Sequence, residues 1–208
     1  MDNPREHPSA IDRLLSGEAR FVMVHRNGQM VVNRHGMNRL AILPGSFRPL
    51  HLGHEGLAQA AAAILGIAVV SEMSLVNVDK PRLEKSDLLL RLAQFQGKSD
   101  VVLTCAETFR KKAQLFPGCT FVTGWDTAIR LFEPKYYGND EHAMLTAMAD
   151  ISAAGCRFLV AGRAQAGTFR TLAGANIPKR FLPLFQEISE SQFRADISST
   201  DLRKQQDA

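Results

Sequence analysis

Two histidines three positions apart, His51 and His54, are the residues whose type and spacing most directly suggest chemistry. They follow the small residues Gly45 and Ser46 and stand at the start of a strongly helix-forming segment. An imidazole N–H donates to a phosphate oxygen, and such donors matter most where negative charge grows during a transfer reaction. Small residues let a ligand approach backbone N–H groups closely, and Gly53 allows tight entry into a helix whose amino end favours anions. The segment therefore predicts a phosphate-binding site.

Two plainer interpretations of the histidine pair stay open. Histidines at this spacing on a helix can ligate a metal ion, but no cluster of further ligands accompanies them, and we predict no protein-held metal. The histidines can also be simple capping residues at the helix start. A lone histidine would favour capping, whereas the combined glycine, serine, proline and double-histidine pattern favours the anion site.

A second cluster of candidate phosphate ligands lies near the carboxyl end of the chain, in the segment DISSTDLRKQ. Ser199, Thr200 and Arg203 crowd one predicted helical turn, where hydroxyls, amides and a guanidinium can jointly hold a polyphosphate. Ser198 and Asp201 also have the spacing of a capping box, which alone predicts only a helix start.

A third candidate group follows a predicted strand in the segment VTGWDTAIR. Gly124 ends the strand, and Asp126 is placed to accept hydrogen bonds from ribose hydroxyls, as an acidic residue does in dinucleotide-binding folds. Trp125 is the only tryptophan and offers a surface for stacking a base, although packing is the commoner use of this side chain. Asp126 is equally compatible with a helix N-cap.

Two further cations follow other predicted strands. Lys80, held between an aspartate and a proline, is a candidate for a phosphate contact, and Arg163 follows the strand CRFLVAGR. Arg82 and Lys85 lie in the same charged run as Lys80 and are interpreted as a solvated face.

The elements that must position these residues alternate between strand and helix from Leu40 onward. This succession predicts an α/β fold with a parallel sheet and helices on both faces. Such sheets place ligands beyond the carboxyl ends of their strands, where the strand order reverses, so the candidate groups should meet there. A proline-marked helix is predicted near residues 179–185.

The chain before Leu40 has a different pattern. The segment ARFVMVHRNGQMVVNR alternates in polarity around Asn27 and Gly28, a signal for a two-residue β-hairpin loop. We therefore predict an N-terminal extension over residues 1–38 with a short hairpin that precedes the main domain, residues 39–208.

Composition narrows the function classes. The net charge of +4 over 208 residues suits phosphate-rich ligands but is spread along the chain, and no aromatic RNA platform or recognition-helix pattern indicates a nucleic-acid partner. Three widely spaced cysteines without a CxxC pair fit a reducing cytosol. No apolar run reaches the ~20 residues of a membrane span, so a cytoplasmic protein is expected, with homo-oligomerisation left open.

These motifs resemble those of the HxGH nucleotidyltransferase superfamily, whose members share a Rossmann-like fold with class I aminoacyl-tRNA synthetases. GSFRPLHLGH resembles the GSFxPxHxGH signature, and ISSTDLR the ISSTxxR signature, of nicotinamide-nucleotide adenylyltransferases. VNVDKP, GWDTAIRLFEPKYYG and GCRFLVAGR are similar to a branch often labelled cytidylyltransferase-like, in which some relatives carry a CinA-like, amidase-type domain before the transferase. The resemblance covers residues 40–206 and implies a Rossmann-like nucleotidyltransferase domain.

The resemblance also implies a reaction. An adenylyl group would pass from ATP to the phosphate of nicotinamide or nicotinate mononucleotide with release of pyrophosphate, and Mg²⁺ would accompany ATP, bridging its phosphates largely through water. His51 and His54 would contact the ATP phosphates, with His54 stabilising the reacting α-phosphate. Ser199 and Arg203 would grip the β and γ phosphates.

The remaining roles implied by the resemblance concern the first loop and the ribose. Ser46 and Phe47 would give backbone and side-chain contacts to phosphates, and Asp126 would bind a ribose. Arg48 departs from the asparagine or aspartate that is commoner at its position, which adds positive charge near the phosphates and leaves the acceptor open.

Two other functions remain alternatives. A cytidylyltransferase acting on a phosphorylated small molecule would keep the fold, but ISSTDLR is closer to the adenylyl pattern than to the RTxGISTT of cytidylyltransferases. A catalytically silent nucleotide-binding regulator would have the same sequence signals, although all the motif residues are present here.

Overall fold

The computed structural model describes residues 9–33, 39–76, 83–165 and 168–194. Strands in the described residues are β1 Phe21–Val24, β2 Met30–Val32, β3 Ala41–Pro44, β4 Val69–Ser74, β5 Val101–Thr104, β6 Thr120–Gly124, β7 Arg157–Ala161, β8 Arg163–Gln165, β9 Thr168–Arg170 and β10 Phe185–Ile188. The α-helices are α1 Ala10–Leu15, α2 Leu52–Leu65, α3 Lys85–Ala93, α4 Phe109–Leu115, α5 Trp125–Arg130 and α6 Glu141–Ala153. Short 3₁₀ helices cover Pro134–Tyr137, Leu172–Gly174 and Lys179–Leu184.

The main sheet has the strand order β10-β7-β6-β3-β4-β5-β1-β2. Strands from β10 to β5 pair in parallel, whereas β1 and β2 are antiparallel additions at the β5 edge. The chain runs from β3 through β4 to β5 on one side and then crosses back to β6 on the other side of β3. The strand order therefore reverses between β3 and β6, where an open parallel sheet binds its ligands.

Helices cover both faces of the sheet, as predicted. Leu14 of α1, Ala61 of α2 and Leu88 of α3 belong to the core cluster on one face. Ala113 of α4 and Met148 of α6 belong to the cluster on the other. The parallel strands are buried on both faces, which explains their continuous apolar runs. The predicted α/β, Rossmann-like class with an N-terminal hairpin is confirmed.

The hairpin forms, but its loop is longer than predicted. Val24 pairs with Met30, and the N–H of His25 donates to the carbonyl of Gln29 over 2.8 Å, which leaves three loop residues rather than two. Gly28 takes the left-handed conformation, with φ of 87°, that such a loop requires. The hairpin also pairs with the main sheet through β1 and β5. The predicted boundary adjoins residues 34–38, outside the described residues, and stays a prediction.

The region before the carboxyl end differs from the prediction. The helix expected near residues 179–185 is a 3₁₀ helix with Pro183 inside it, and the strand β10 follows it directly. We did not predict β10 because its sequence, FQEI, is short and half polar, as suits a strand at the sheet edge. Within the described residues, no helix has the length and apolar character needed to cross a membrane.

Candidate functional site

The loop that follows β3 is folded around the buried side chain of Phe47. Phe47 is 1% exposed and has a positive φ of 45°. A Cβ atom placed on Gly45 would lie 2.8 Å from the Phe47 ring, closer than two carbon atoms can approach. Gly45 is therefore required for packing within the loop, in addition to the predicted access to its backbone.

The Phe47 ring packs against His54, one of the two histidines. Its ring meets those of His54 and Phe95 edge-on, with 5.0 Å between ring centres in each case. The predicted side-chain contact of Phe47 with phosphate is wrong, because the ring is buried beneath the loop. Its backbone stays a candidate for that contact.

Arg91 of α3 and Gln94, the residue that follows this helix, bind the main chain of the same loop. The guanidinium of Arg91 donates to the carbonyl of Ser46 over 2.9 Å, and the amide of Gln94 donates to the carbonyl of Phe47 over 3.1 Å. Gln94 also accepts the N–H of Leu50 over 2.8 Å. Sequence reasoning missed both residues, since the helical pattern shows which face is apolar but not which loop a polar side chain reaches.

His51 and His54 cap α2 reciprocally. His51 is the N-cap, and its Nδ1 accepts the N–H of Gly53 over 3.1 Å, while Nδ1 of His54 accepts the N–H of His51 over 3.3 Å. The rings stack with 3.8 Å between centres. The capping interpretation is thus realised, and the same geometry presents both imidazoles together at the start of a 14-residue helix.

Both histidines are held in the neutral form at physiological pH. Burial lowers the pKa of His54 to about 4, and the neighbouring His51 adds to the effect. Burial also lowers the pKa of His51, with a smaller opposing contribution from Glu55. Because each Nδ1 accepts a backbone N–H, the single proton of each neutral ring belongs on Nε2. Each ring therefore carries its N–H donor on Nε2 and has no charge.

The group after β6 is arranged differently. Gly124 is the N-cap of α5 without a side-chain cap, so the interpretation of Asp126 as N-cap is wrong. Asp126 instead forms an ion pair with Arg163 at the start of β8. Trp125 donates its indole N–H to the carbonyl of Thr171 over 2.9 Å, and the guanidinium of Arg170 lies 5.1 Å from the ring centre. Stacking of a base on Trp125 stays a prediction.

The two groups lie at the carboxyl ends of strands that are neighbours in the sheet. The loop containing Gly45 leaves β3, and the Trp125–Asp126 turn leaves β6, on the two sides of the point where the strand order reverses. This is the placement predicted for a ligand site in an open parallel sheet.

The remaining predicted site residues lie outside the described part of the chain: Lys80, Ser198, Ser199, Thr200 and Arg203. Phe193, five residues before Ser198, contacts helix α2. A Cβ atom on Gly56, in the second turn of α2, would lie 3.1 Å from the ring of Phe193. The chain five residues before Ser198 therefore packs against the helix that the histidines cap.

A cavity of about 700 Å³ lies on the face of the sheet opposite to α2, between α4, α5, α6 and the 3₁₀ helix Pro134–Tyr137. Glu107 and Thr108 bring its wall to the carboxyl end of β5, and Thr127 brings it to that of β6. Cationic and phenolic side chains complete the lining: Arg110, Lys111, Arg130, Tyr136 and Tyr137. Sequence reasoning named none of these as ligands, although the segment GWDTAIRLFEPKYYG carried part of the resemblance and contains three of them.

No carboxylate, imidazole or thiol cluster of three or more, as a metal ion would need, occurs in the residues that the structure describes. The arrangement offers instead hydrogen-bond donors and cations around an edge of the sheet. It suits a ligand that carries phosphate groups.

No protein-family model matches the chain. A curated relative from Gloeobacter violaceus, described as a probable nicotinate-nucleotide adenylyltransferase, is 28% identical over 183 residues, which cover 80% of this chain and 83% of the relative. The predicted resemblance to mononucleotide adenylyltransferases is confirmed at this level of similarity.

Proposed function

We propose that this chain transfers the adenylyl group of ATP to the phosphate of a pyridine mononucleotide, nicotinate or nicotinamide mononucleotide, and releases pyrophosphate. The observation that carries the proposal is the stacked pair of neutral imidazoles that caps α2 beside the reversal of strand order. The relative from Gloeobacter violaceus favours the nicotinate form as acceptor.

The reaction needs no protein nucleophile. A phosphate oxygen of the acceptor attacks the α-phosphorus of ATP in line, a new P–O bond forms, and the bond to pyrophosphate breaks. Negative charge spreads over the α-phosphate oxygens as this happens. Nε2–H of His54, assisted by that of His51, donates to these oxygens, and the stacked, capped rings hold their donors in place before ATP arrives.

The acceptor is assigned to the cavity on the α4–α6 face. Its volume of about 700 Å³ is within the roughly 300–1,000 Å³ typical of small-molecule sites. Three cations line its wall, and two of them form ion pairs, Lys111 with Glu107 and Arg110 with Asp150. Cations at the wall favour a phosphate-bearing ligand, and the two tyrosines offer aromatic faces to a pyridine ring. The cavity wall and the histidine loop both reach the carboxyl edge of the sheet, where the two substrates would meet.

The grip on the β and γ phosphates is assigned to Ser199 and Arg203, with Ser198 and Thr200 in the same predicted turn and Lys80 as a further phosphate contact. The packing of Phe193 on Gly56 supports this assignment.

Mg²⁺ is assigned to the ATP complex rather than to a protein cage. It would neutralise charge on the transferring phosphates, and the described residues hold no carboxylate cluster that would bind it separately. Cations such as Arg203 would add to this neutralisation from the protein.

The test is pyrophosphate release from ATP and from CTP with three acceptors: nicotinate mononucleotide, nicotinamide mononucleotide and a phosphorylated alcohol. We expect turnover with ATP and a pyridine mononucleotide alone. Turnover with CTP and the phosphorylated alcohol would instead support the cytidylyltransferase alternative. Nucleotide binding without turnover in any combination would leave the regulator alternative.

A further inference from the structure

A buried ion pair links two strands of the sheet to α4, outside the residues discussed so far. Lys112 of α4 donates to both carboxylate oxygens of Glu72, over 2.7 and 2.6 Å. Glu72 is fully buried, and Lys112 is 6% exposed. Thr104, at the end of β5, donates its hydroxyl to the same carboxylate over 2.6 Å. The carboxylate therefore accepts three hydrogen bonds without contact with water.

The cluster connects the two halves of the proposed site through main-chain bonds. The hydroxyl oxygen of Thr104 accepts the N–H of Ala106 over 3.1 Å and so fixes the turn that leads to Glu107 in the cavity wall. The carbonyl of Glu72 accepts the N–H of Gly45, the first residue of the histidine loop, over 2.9 Å. One residue thus ties the entry of that loop to the turn beside the cavity.

Stability alone does not account for a charged pair at this place. Apolar side chains of similar size in place of a buried ion pair are often neutral or stabilising, because removing two charges from water costs several kcal/mol per ion. Lys112 also makes no direct contact with the cavity: its neighbours Arg110 and Lys111 line it, whereas Lys112 faces the sheet. What the pair provides is a fixed direction and distance between α4 and β4.

We propose that Glu72, Lys112 and Thr104 form a positioning network that holds the wall of the acceptor cavity in register with the histidine loop. These residues touch neither substrate and act through the Ala106 turn and α4. The proposal rests on the proposed function, since it assigns the cavity to the acceptor. It predicts that loss of the network weakens use of the acceptor and leaves use of ATP nearly unchanged.

The main test is the double variant Glu72→Gln/Lys112→Met, which removes both charges and keeps side-chain size. Each single substitution would leave a buried charge unpaired, whereas the double variant is expected to fold. We expect the KM for nicotinate mononucleotide to rise about tenfold and the KM for ATP to stay within about twofold, as suits a change in substrate positioning alone. The matched control is Arg13→Met/Glu18→Gln, which removes an exposed ion pair of 3.3 Å. Neither residue belongs to the histidine loop or to the cavity wall.

A second variant keeps the proposal testable if the double variant does not fold. Thr104→Val leaves the ion pair in place and removes the hydroxyl that fixes the Ala106 N–H. We expect amide hydrogen exchange at Ala106 to accelerate at least about tenfold, together with a rise in the acceptor KM. The exchange measurement needs no substrate, so it is independent of the reaction proposed above.

The outcomes separate the two proposals. A stable double variant with wild-type KM values for both substrates would overturn the positioning role, as would unchanged exchange at Ala106 in Thr104→Val. Faster exchange at Ala106 in a chain that shows no adenylyl transfer with any acceptor would overturn the proposed function but retain the link between the network and the turn.

Discussion

The histidine loop after β3 and the tryptophan turn after β6 lie side by side at the same edge of the sheet, yet they satisfy their polar groups in different ways. The histidine loop is tied to its own backbone and to α3, and its imidazole donors stay neutral and oriented. At the tryptophan turn, Asp126 and Arg163, both predicted to bind ligand, form an ion pair with each other, and the guanidinium of Arg170 lies over the Trp125 ring.

This difference in hydrogen bonding and ion pairing indicates that the histidine loop is prearranged for a ligand and the tryptophan turn is not. Prearranged donors contribute fully to binding and catalysis, because no ordering cost remains when the ligand arrives. Groups that are paired with each other must exchange partners first. We therefore expect substitutions in the histidine loop to affect turnover strongly, and substitutions at the tryptophan turn to affect it mildly.

The largest effect is expected from His54→Ala. Loss of a prearranged donor to the transition state should lower kcat about a hundredfold or more. The measurement is steady-state pyrophosphate release, with circular dichroism to confirm folding. His142→Ala, which removes an exposed histidine of α6, is the matched control and should keep full turnover. Near-normal kcat in a folded His54→Ala variant would contradict the expectation that the histidine loop affects turnover more than the tryptophan turn does.

Gly45→Ala should reduce stability as well as activity. The added methyl group would lie 2.8 Å from the Phe47 ring, which must move together with His54. We expect the free energy of unfolding in urea to fall by about 1–3 kcal/mol. Gly124→Ala has no atom within 4 Å of the added carbon, so its cost should be smaller and limited to the poorer N-cap of α5. Equal stability of the two variants would show that the histidine loop is not the tighter of the two regions.

The depressed pKa of His54 predicts a specific pH dependence of stability. The folded chain resists protonation until the pH nears about 4, whereas the unfolded chain binds that proton near pH 6.5. Stability from this residue is therefore complete above pH 6.5 and declines as the pH falls towards 4. Because water still reaches the half-buried ring, the loss should amount to at most about 2 kcal/mol.

Urea unfolding of the wild type and of His54→Gln between pH 4.5 and 7.5 measures this contribution as the difference between the two curves. Glutamine keeps a side-chain acceptor near the helix start but does not titrate. A constant difference across this range would mean that the pKa of His54 is the same in the folded and the unfolded chain.

The smallest effect is expected at the tryptophan turn. Asp126 and Arg163 are each more than a third exposed, so Asp126→Ala should change the free energy of unfolding by less than about 1 kcal/mol. If Asp126 binds a ribose, the KM of one substrate should rise about tenfold in Asp126→Ala and less in Asp126→Asn, which can still form a hydrogen bond. Unchanged KM values for both substrates in both variants would limit Asp126 to its ion pair.

Sequence reasoning identified the histidine loop and the alternation of strands and helices because both depend on local patterns. Gly45, His51 and His54 indicate a turn and a helix start, and apolar runs indicate parallel strands. Partnerships between distant residues leave no such signal. Nothing near Asp126 indicates that Arg163 will pair with it, and nothing in α3 indicates that Arg91 reaches the carbonyl of Ser46.

The buried network is an intermediate case. Glu72 interrupts an otherwise uncharged strand, VVSEMS, in a sheet that was expected to be covered on both faces. A charged residue there must be buried and must find a partner. That signal was present in the sequence, but the identity of the partner, Lys112, required the packing of α4.

The antiparallel pairing of β1 with β5 has a practical consequence for anyone who shortens this chain. Without the first hairpin, β5 would border solvent with a full row of unsatisfied peptide groups, and its sequence, VVLT, is strongly prone to recruit other chains. The hairpin instead ends the sheet with β2, a strand of only three residues that offers little to an incoming neighbour. Trimming the protein to residues 39–208 should therefore yield aggregating material rather than a smaller working enzyme.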